Sequence, residues 1–211
     1  LMAVIRDELS AIRRAYADER RTEIVASADD IDVEDLIAEE EVVITLTHAG
    51  YVKRQPLSSW RNQKRGGRGV TALNTREDDF VEHLFVSSTH TNVLFFTNRG
   101  RVYRLRGHEI PEAGRNARGT AIINLIQIEK DERIQATIQV DEYDDQHFLF
   151  MATRQGIVKK TLLSEYGSGR SGLIAVNLEE GDELVGVALT DGQCELILVT
   201  HFGQAIRFDE D

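Results

Sequence analysis

The seven residues Gln63-Lys64-Arg65-Gly66-Gly67-Arg68-Gly69 put three cations and three glycines into one short stretch. Glycine lets a backbone approach a ligand closely and take positive φ without steric cost. Arginine gives phosphate a forked pair of charge-assisted donors, and lysine gives it a point charge. The chemistry this combination supports is a grip on a polyanion. The surroundings agree: from Tyr51 to Val70 the charged residues are Lys53, Arg54, Arg61, Lys64, Arg65 and Arg68, with no carboxylate among them.

Cations recur further along the chain. Arg99, Arg101, Arg104, Arg106, Arg115 and Arg118 form a second group, and Arg154, Lys159, Lys160 and Arg170 a third. Placed on one rim, they would form a curved positive track suited to reading and bending a duplex backbone with little base readout. If the first group neutralises about six phosphates, log K falls against log salt with a slope near −5.

Other chemistries fit less well. Gly114-Arg115-Asn116-Ala117-Arg118-Gly119-Thr120 lacks the lysine of a nucleotide-binding P-loop and leads into a strand pattern, not a helix. Gly167-Ser168-Gly169-Arg170-Ser171-Gly172 does not have the spacing of a nucleophile elbow. The six histidines show no metal-ligand spacing, and one cysteine, Cys194, cannot assemble a thiolate site, so no metal is expected. Asp30-Ile31-Asp32-Val33-Glu34 lacks the glycine and terminal glutamate of a calcium loop. No catalytic constellation is visible, and Trp60 is expected to pack rather than stack on a base.

The net charge of −11 argues against nucleic acid until its distribution is considered. Eight carboxylates lie between Ile24 and Gly50 without a single Lys or Arg, and the basic stretch follows directly. Charges more than about 8–10 Å apart in solvent are largely screened at physiological salt, so the local field governs binding. The acidic block is a solvated linker or a competitor for the basic patch. The longest apolar runs are strand-length, so no membrane span is expected, and the lone cysteine fits a reducing cytoplasm.

The elements that must position these cations follow from periodicity. Ile5, Leu9, Ile12 and Tyr16 make one helical stripe, which predicts a helix over 1–22 from a coiled-coil arm, followed by an acidic linker over 23–41. From Glu41 the period changes to two. Thr47-His48-Ala49-Gly50, Thr97-Asn98-Arg99-Gly100, Thr153-Arg154-Gln155-Gly156 and Thr200-His201-Phe202-Gly203 share the pattern Thr-x-x-Gly, each between an apolar strand and a strand with basic ends. Gly69, Gly119 and Gly172 then open further strands (Val70–Leu73, Thr120–Leu125 and Leu173–Val176), each followed by an acidic turn. Two hairpins per repeat make four-stranded blades of a propeller-like array, over about 42–91, 92–146 and 147–194, with a partial fourth at 195–211. The chain opens in mid-helix at Leu1 and closes after one hairpin of that fourth repeat, so a fragment of a longer protein is expected.

Gln63–Gly69 resembles the seven-residue box of the A subunit of bacterial DNA gyrase, with Lys64 where Arg is more usual. Arg20-Arg21-Thr22-Glu23-Ile24, Glu34-Asp35-Leu36-Ile37 and Val43–Arg54 are similar to the join between that subunit's coiled-coil arm and its C-terminal domain. The resemblance implies a mainly β fold, a β-pinwheel (a hairpin-swapped relative of the propeller), with three blades, a partial fourth and an N-terminal α-helix. It implies duplex DNA wrapped on a basic rim, so that the ATP-dependent holoenzyme introduces negative supercoils. The partners implied are the B subunit, through a part absent from this chain, and an A2B2 assembly. No cofactor is expected in this part, since ATP and Mg belong to other domains or to the B subunit. The breakage–rejoining tyrosine is expected upstream. The alternatives are the A subunit of topoisomerase IV, whose box is usually degenerate, and a propeller-like protein-interaction module without nucleic acid.

Overall fold

The computed structural model describes residues 1–18, 22, 33–60, 79–168 and 172–210. Arg61, the whole Gln63–Gly69 box and Arg170 therefore lie outside the described residues. The chain divides into two units, Leu1–Leu36 and Ile37–Asp211.

In the first unit, helix α1 runs Met2–Tyr16. Arg13 and Arg14 in its last turn complement the negative end of the helix dipole. Ala17 takes an extended conformation (φ −73, ψ 125), so the helix stops short of its expected end at 22.

The second unit is built of small antiparallel sheets. The first contains β1 (Glu41–Thr47), β2 (Tyr51–Pro56), β3 (Val81–Ser88) and β6 (Thr120–Ala121), in the order β3-β1-β2-β6. The second contains β4 (Asn92–Thr97), β5 (Arg101–Arg106), β7 (Ile134–Val140) and β10 (Leu173–Ile174), in the order β10-β5-β4-β7. Among the described residues a third sheet holds β8 (Phe148–Thr153), β9 (Val158–Leu162) and β11 (Leu184–Thr190), and a fourth the hairpin β12 (Glu195–Val199) and β13 (Ala205–Asp209).

A repeat in sequence is not a sheet in space. The expected strand Thr120–Leu125 shrinks to the two residues of β6, followed by a 3-10 turn at Ile122–Asn124. That short strand pairs with β2 of the preceding repeat, Val52 opposite Thr120 and Tyr51 opposite Ala121. β10 does the same one repeat later, Leu173 opposite Val102. The second and third repeats thus each close the sheet before them, which is the swap that separates a pinwheel from a plain propeller.

This exchange explains the core. Strand residues alternate faces, and β4 is buried on both. Val93 and Phe95 join Val42, Ile44, Leu46, Val52, Ile110, Ile122 and Ile126 in one cluster. Leu94 and Phe96 join Val102, Leu149, Met151, Val176 and Leu184 in another. The continuous apolar run Val93–Phe96 is therefore a strand clamped between two blade interfaces. Burying each of those phenylalanines stabilises the array by about 1.5–3 kcal/mol.

Candidate nucleic-acid interface

The four Thr-x-x-Gly turns share one geometry. The glycine amide donates to the threonine carbonyl at 2.9 Å for Gly50 and Gly100 and at 3.0 Å for Gly156 and Gly203. The threonine hydroxyl accepts from the amide following the glycine: Tyr51 to Thr47 (3.2 Å), Arg101 to Thr97 (3.3 Å), Ile157 to Thr153 (3.1 Å) and Gln204 to Thr200 (3.1 Å). All four glycines lie at φ between 72 and 88, where a side chain is strained.

A buried carboxylate braces three of these turns. Asp79 Oδ1 accepts from the Ala49 amide at 2.9 Å, and Asp182 Oδ1 from the Gln155 amide at 3.0 Å. Glu132 accepts from the Thr97 hydroxyl at 2.5 Å and from the Glu129 amide at 2.9 Å. Each lies two residues before the strand that follows it, which starts at Val81, Ile134 or Leu184. Sequence reasoning gave those acids no structural part, although their shared offset from the next strand was the available signal.

The turns launch the basic strands, and strand alternation then divides the cations. Lys53 is 1% exposed, and its ammonium donates to the carbonyls of Gly114 (3.1 Å), Arg115 (2.9 Å) and Ala117 (3.0 Å). Burial lowers its pKa from the ordinary lysine value. The expectation that Lys53 meets a phosphate is corrected by this geometry: its three donors are satisfied inside the protein, and no face is left for an anion.

Its neighbour Arg54 donates from Nε to the Ile110 carbonyl at 2.7 Å and lies 3.6 Å from Glu112. Lys160 is placed alike two repeats on. Its Nζ donates to the Glu210 carbonyl at 3.2 Å and sits 4.2 Å above the Phe148 ring. Arg54 ties the first sheet to the second repeat, and Lys160 ties the third sheet to the fourth. Lys159 is exposed, but its Nζ donates to the Ala175 carbonyl at 2.7 Å. Arg104 and Arg106 are half-buried; Arg106 donates to the His90 carbonyl at 2.6 Å. Both lie near Tyr143, whose hydroxyl is pushed up in pKa by burial against the lowering effect of these two charges. Arg99 and Arg101 share Glu129, at 2.8 and 3.8 Å. The Arg154 side chain is exposed.

Arg115 and Arg118 belong to a strap that follows β2. Arg54 N donates to the Pro111 carbonyl at 3.1 Å, and Ala113 N to the Arg54 carbonyl at 3.2 Å. Arg118 lies 3.5 Å over the Tyr51 ring, a cation–π contact. Arg115 Nη2 donates to the Ser59 carbonyl at 2.9 Å. Ser59 and half-buried Trp60 are the last described residues before the stretch that carries the box. An arginine distant in sequence is thereby fixed at Ser59, four residues before Gln63 in the sequence.

The family model described as DNA gyrase C-terminal domain, beta-propeller, matches residues 41–88, 91–141, 147–191 and 195–211. The chain belongs to this family. The DNA gyrase A protein of Clostridium acetobutylicum is 55% identical over 211 residues, which are 100% of this chain and 25% of that protein. The chain thus spans about a quarter of the length of the relatives it matches. A solved C-terminal domain of DNA topoisomerase IV superposes with a TM-score of 0.71 at 36% identity, covering 82% of this chain and 53% of that one. A solved DNA gyrase A C-terminal domain gives 0.63 at 20% identity, over 81% of this chain and 55% of that one, a likeness of fold alone.

Within this gyrase-family domain one further cluster escaped the sequence reading. Asp191, Cys194 and Glu210 bring one potential ligand atom each within 4.8 Å of one another. The three are tied into the protein itself. The Cys194 thiol donates to Asp191 at 3.2 Å, and Glu210 accepts from the Thr190 hydroxyl and the Cys194 amide. The cluster closes the β12–β13 hairpin against β11. Among the described residues no helix is long and apolar enough to cross a membrane.

Proposed function

We propose that this chain is the DNA-wrapping part of the A subunit of a DNA gyrase, a type IIA topoisomerase. It bends duplex DNA around a basic rim, so that the ATP-dependent holoenzyme introduces negative supercoils. The observation that carries this reading is the Gln63–Gly69 box in a chain of the gyrase C-terminal family, with Arg115 held at Ser59, four residues before it in the sequence. The box residues Gln63, Lys64, Arg65, Gly66, Gly67, Arg68 and Gly69, with Arg61, anchor the wrap. Arg99, Arg101, Arg115, Arg118, Arg154 and Arg170 continue it. Arg54, Arg104, Arg106, Lys159 and Lys160 contribute field along the track while holding the blades. The B subunit joins through other parts of the gyrase A chain, in an A2B2 assembly working in the cytoplasm. ATP and Mg act there and not in this part.

Topological footprinting tests the reading. A nicked plasmid is relegated around the protein and its linking number read on a gel. The wild-type sequence within its full-length protein should shift the topoisomer distribution, and K64A/R65A/R68A should abolish the shift. An unchanged shift in that variant would reject the box as the anchor.

The 36% identity to the topoisomerase IV domain supports a second reading, a decatenating paralogue. The reconstituted enzyme separates the two: gyrase supercoils relaxed plasmid with ATP, and the paralogue relaxes and decatenates.

A further inference from the structure

Lys53 spends a buried ammonium on three carbonyls of one exposed loop, at 3.1, 2.9 and 3.0 Å from Gly114, Arg115 and Ala117. A buried lysine is costly, and an apolar side chain would fill the same volume without that cost. Its donors have a more specific consequence. Three convergent carbonyls turn the oxygens of the loop inward and fix the backbone from which the Arg115 side chain departs. The far end of the loop is fixed as well. Gly119 sits at φ +93, where a Cβ would lie 2.5 Å from the Val52 carbonyl and 3.1 Å from Lys53 Cβ. Between these two anchors the loop closes with Ala117 N donating to the Gly114 carbonyl at 3.0 Å. The exposed Arg115 then reaches the Ser59 carbonyl with one of its five donors.

We propose that Lys53 is a positioning residue for the DNA path: from inside the first blade it holds the second repeat's Gly114–Ala117 loop so that Arg115 meets a backbone phosphate of the duplex. This rests on the DNA-wrapping reading above. Lys53 itself touches no DNA. It converts the loop, a poor P-loop by sequence, into a rigid one-phosphate contact on the path of the duplex.

The experiment measures the salt dependence of duplex binding by the reconstituted holoenzyme, with both of its chains at full length. Each neutralised phosphate contributes about 0.9 to the slope of log K against log salt, which is about a 3- to 4-fold change in affinity between 50 and 200 mM salt. R115A should lower the slope by about 0.9. K53M, which keeps length and removes the donors, should lower it by the same amount, and K53M/R115A should lower it no further. A residue that only stabilises the fold would shift the melting temperature and leave the slope alone. The positioning role is overturned if R115A lowers the slope while K53M does not, or if the two losses add. If K53M does not fold, K53Q, which retains a donor, takes its place and must give a partial loss that vanishes in the R115A background. Failure of the underlying reading looks different: wild-type binding would be insensitive to salt, or K64A/R65A/R68A would bind as wild type does.

Discussion

The Ile122 amide donates a 2.8 Å hydrogen bond to the Gly50 carbonyl, so the first turn is closed by a residue of the second repeat. Ala175 repeats the contact on Gly100, also at 2.8 Å. The incoming segment crowds the two glycines differently. A Cβ on Gly100 would lie 2.5 Å from the Val176 carbonyl, whereas on Gly50 it would meet only an Ile122 methyl at 3.5 Å, and on Gly156 nothing within 4 Å. All three have positive φ, so alanine costs each about 1–2 kcal/mol from backbone conformation. G100A adds about 1–3 kcal/mol of overpacking. Denaturant unfolding should rank G100A well below G50A and G156A. Equal losses would show that swap contacts do not differ in tightness.

Arg54 and Arg99 should separate stability from binding. Arg54 donates to the Ile110 carbonyl at 2.7 Å with its side chain only 20% exposed, whereas Arg99 is exposed and faces Glu129. A charge-assisted bond in a partly buried site contributes about 1.5–3 kcal/mol, and an exposed ion pair about 0–1. R54A should lower the unfolding midpoint with little change in the salt slope of DNA binding. R99A should leave the midpoint in place and reduce the slope by about 0.9. The reverse pattern would exchange their roles.

The Thr-x-x-Gly repeat was legible because each of its defining residues acts locally. The threonine closes the hairpin, and the glycine supplies positive φ. The family box was legible for the same reason, as a dense local pattern. The partner of a two-residue strand has no such signature. Nothing in Thr120-Ala121 announces that it pairs with Tyr51 and Val52, because the pairing depends on how neighbouring repeats stack. Lys53 marks a second boundary. Reading Lys53 and Arg54 as one basic patch ignores the alternation that sends adjacent strand residues to opposite faces. One of the two had to point inward. That it is the lysine follows from the carbonyls waiting in the next repeat, which a local reading does not see.

The brace at Asp182 predicts a pH response. Burial raises the pKa of this carboxyl, but the neighbouring Thr153 hydroxyl and the amides of Gln155 and Glu183 outweigh burial and hold it below the ordinary aspartate value. A carboxyl depressed in the folded state stabilises fully above its unfolded pKa, about 3.9, and that contribution is lost as pH falls through the lower folded value. Stability of the third blade should therefore fall on acidification below about pH 4. D182N keeps an oxygen for the amides and removes the titration, so its stability should be lower at neutral pH and flatter below pH 4. Hydrogen exchange at Gln155 and Glu183 as a function of pH reads this directly. An acid limb equally steep in D182N would assign it to other carboxyls.

Lys64 offers the last test, because it departs from the arginine more usual in the box it resembles. A lysine ammonium holds phosphate as a point charge, and a guanidinium holds it through two parallel donors. The number of neutralised phosphates is the same for both, so K64R should leave the salt slope unchanged. The fork adds one directed hydrogen bond, about 1 kcal/mol, which is a roughly 5-fold gain in affinity at fixed salt. K64A removes the charge and should lower the slope by about 0.9. Measured side by side on one duplex, the three proteins should give two slopes and three affinities. Should K64R bind no better than the wild type, the residue acts through its charge alone, and the box tolerates lysine because the forked contact is made elsewhere along it.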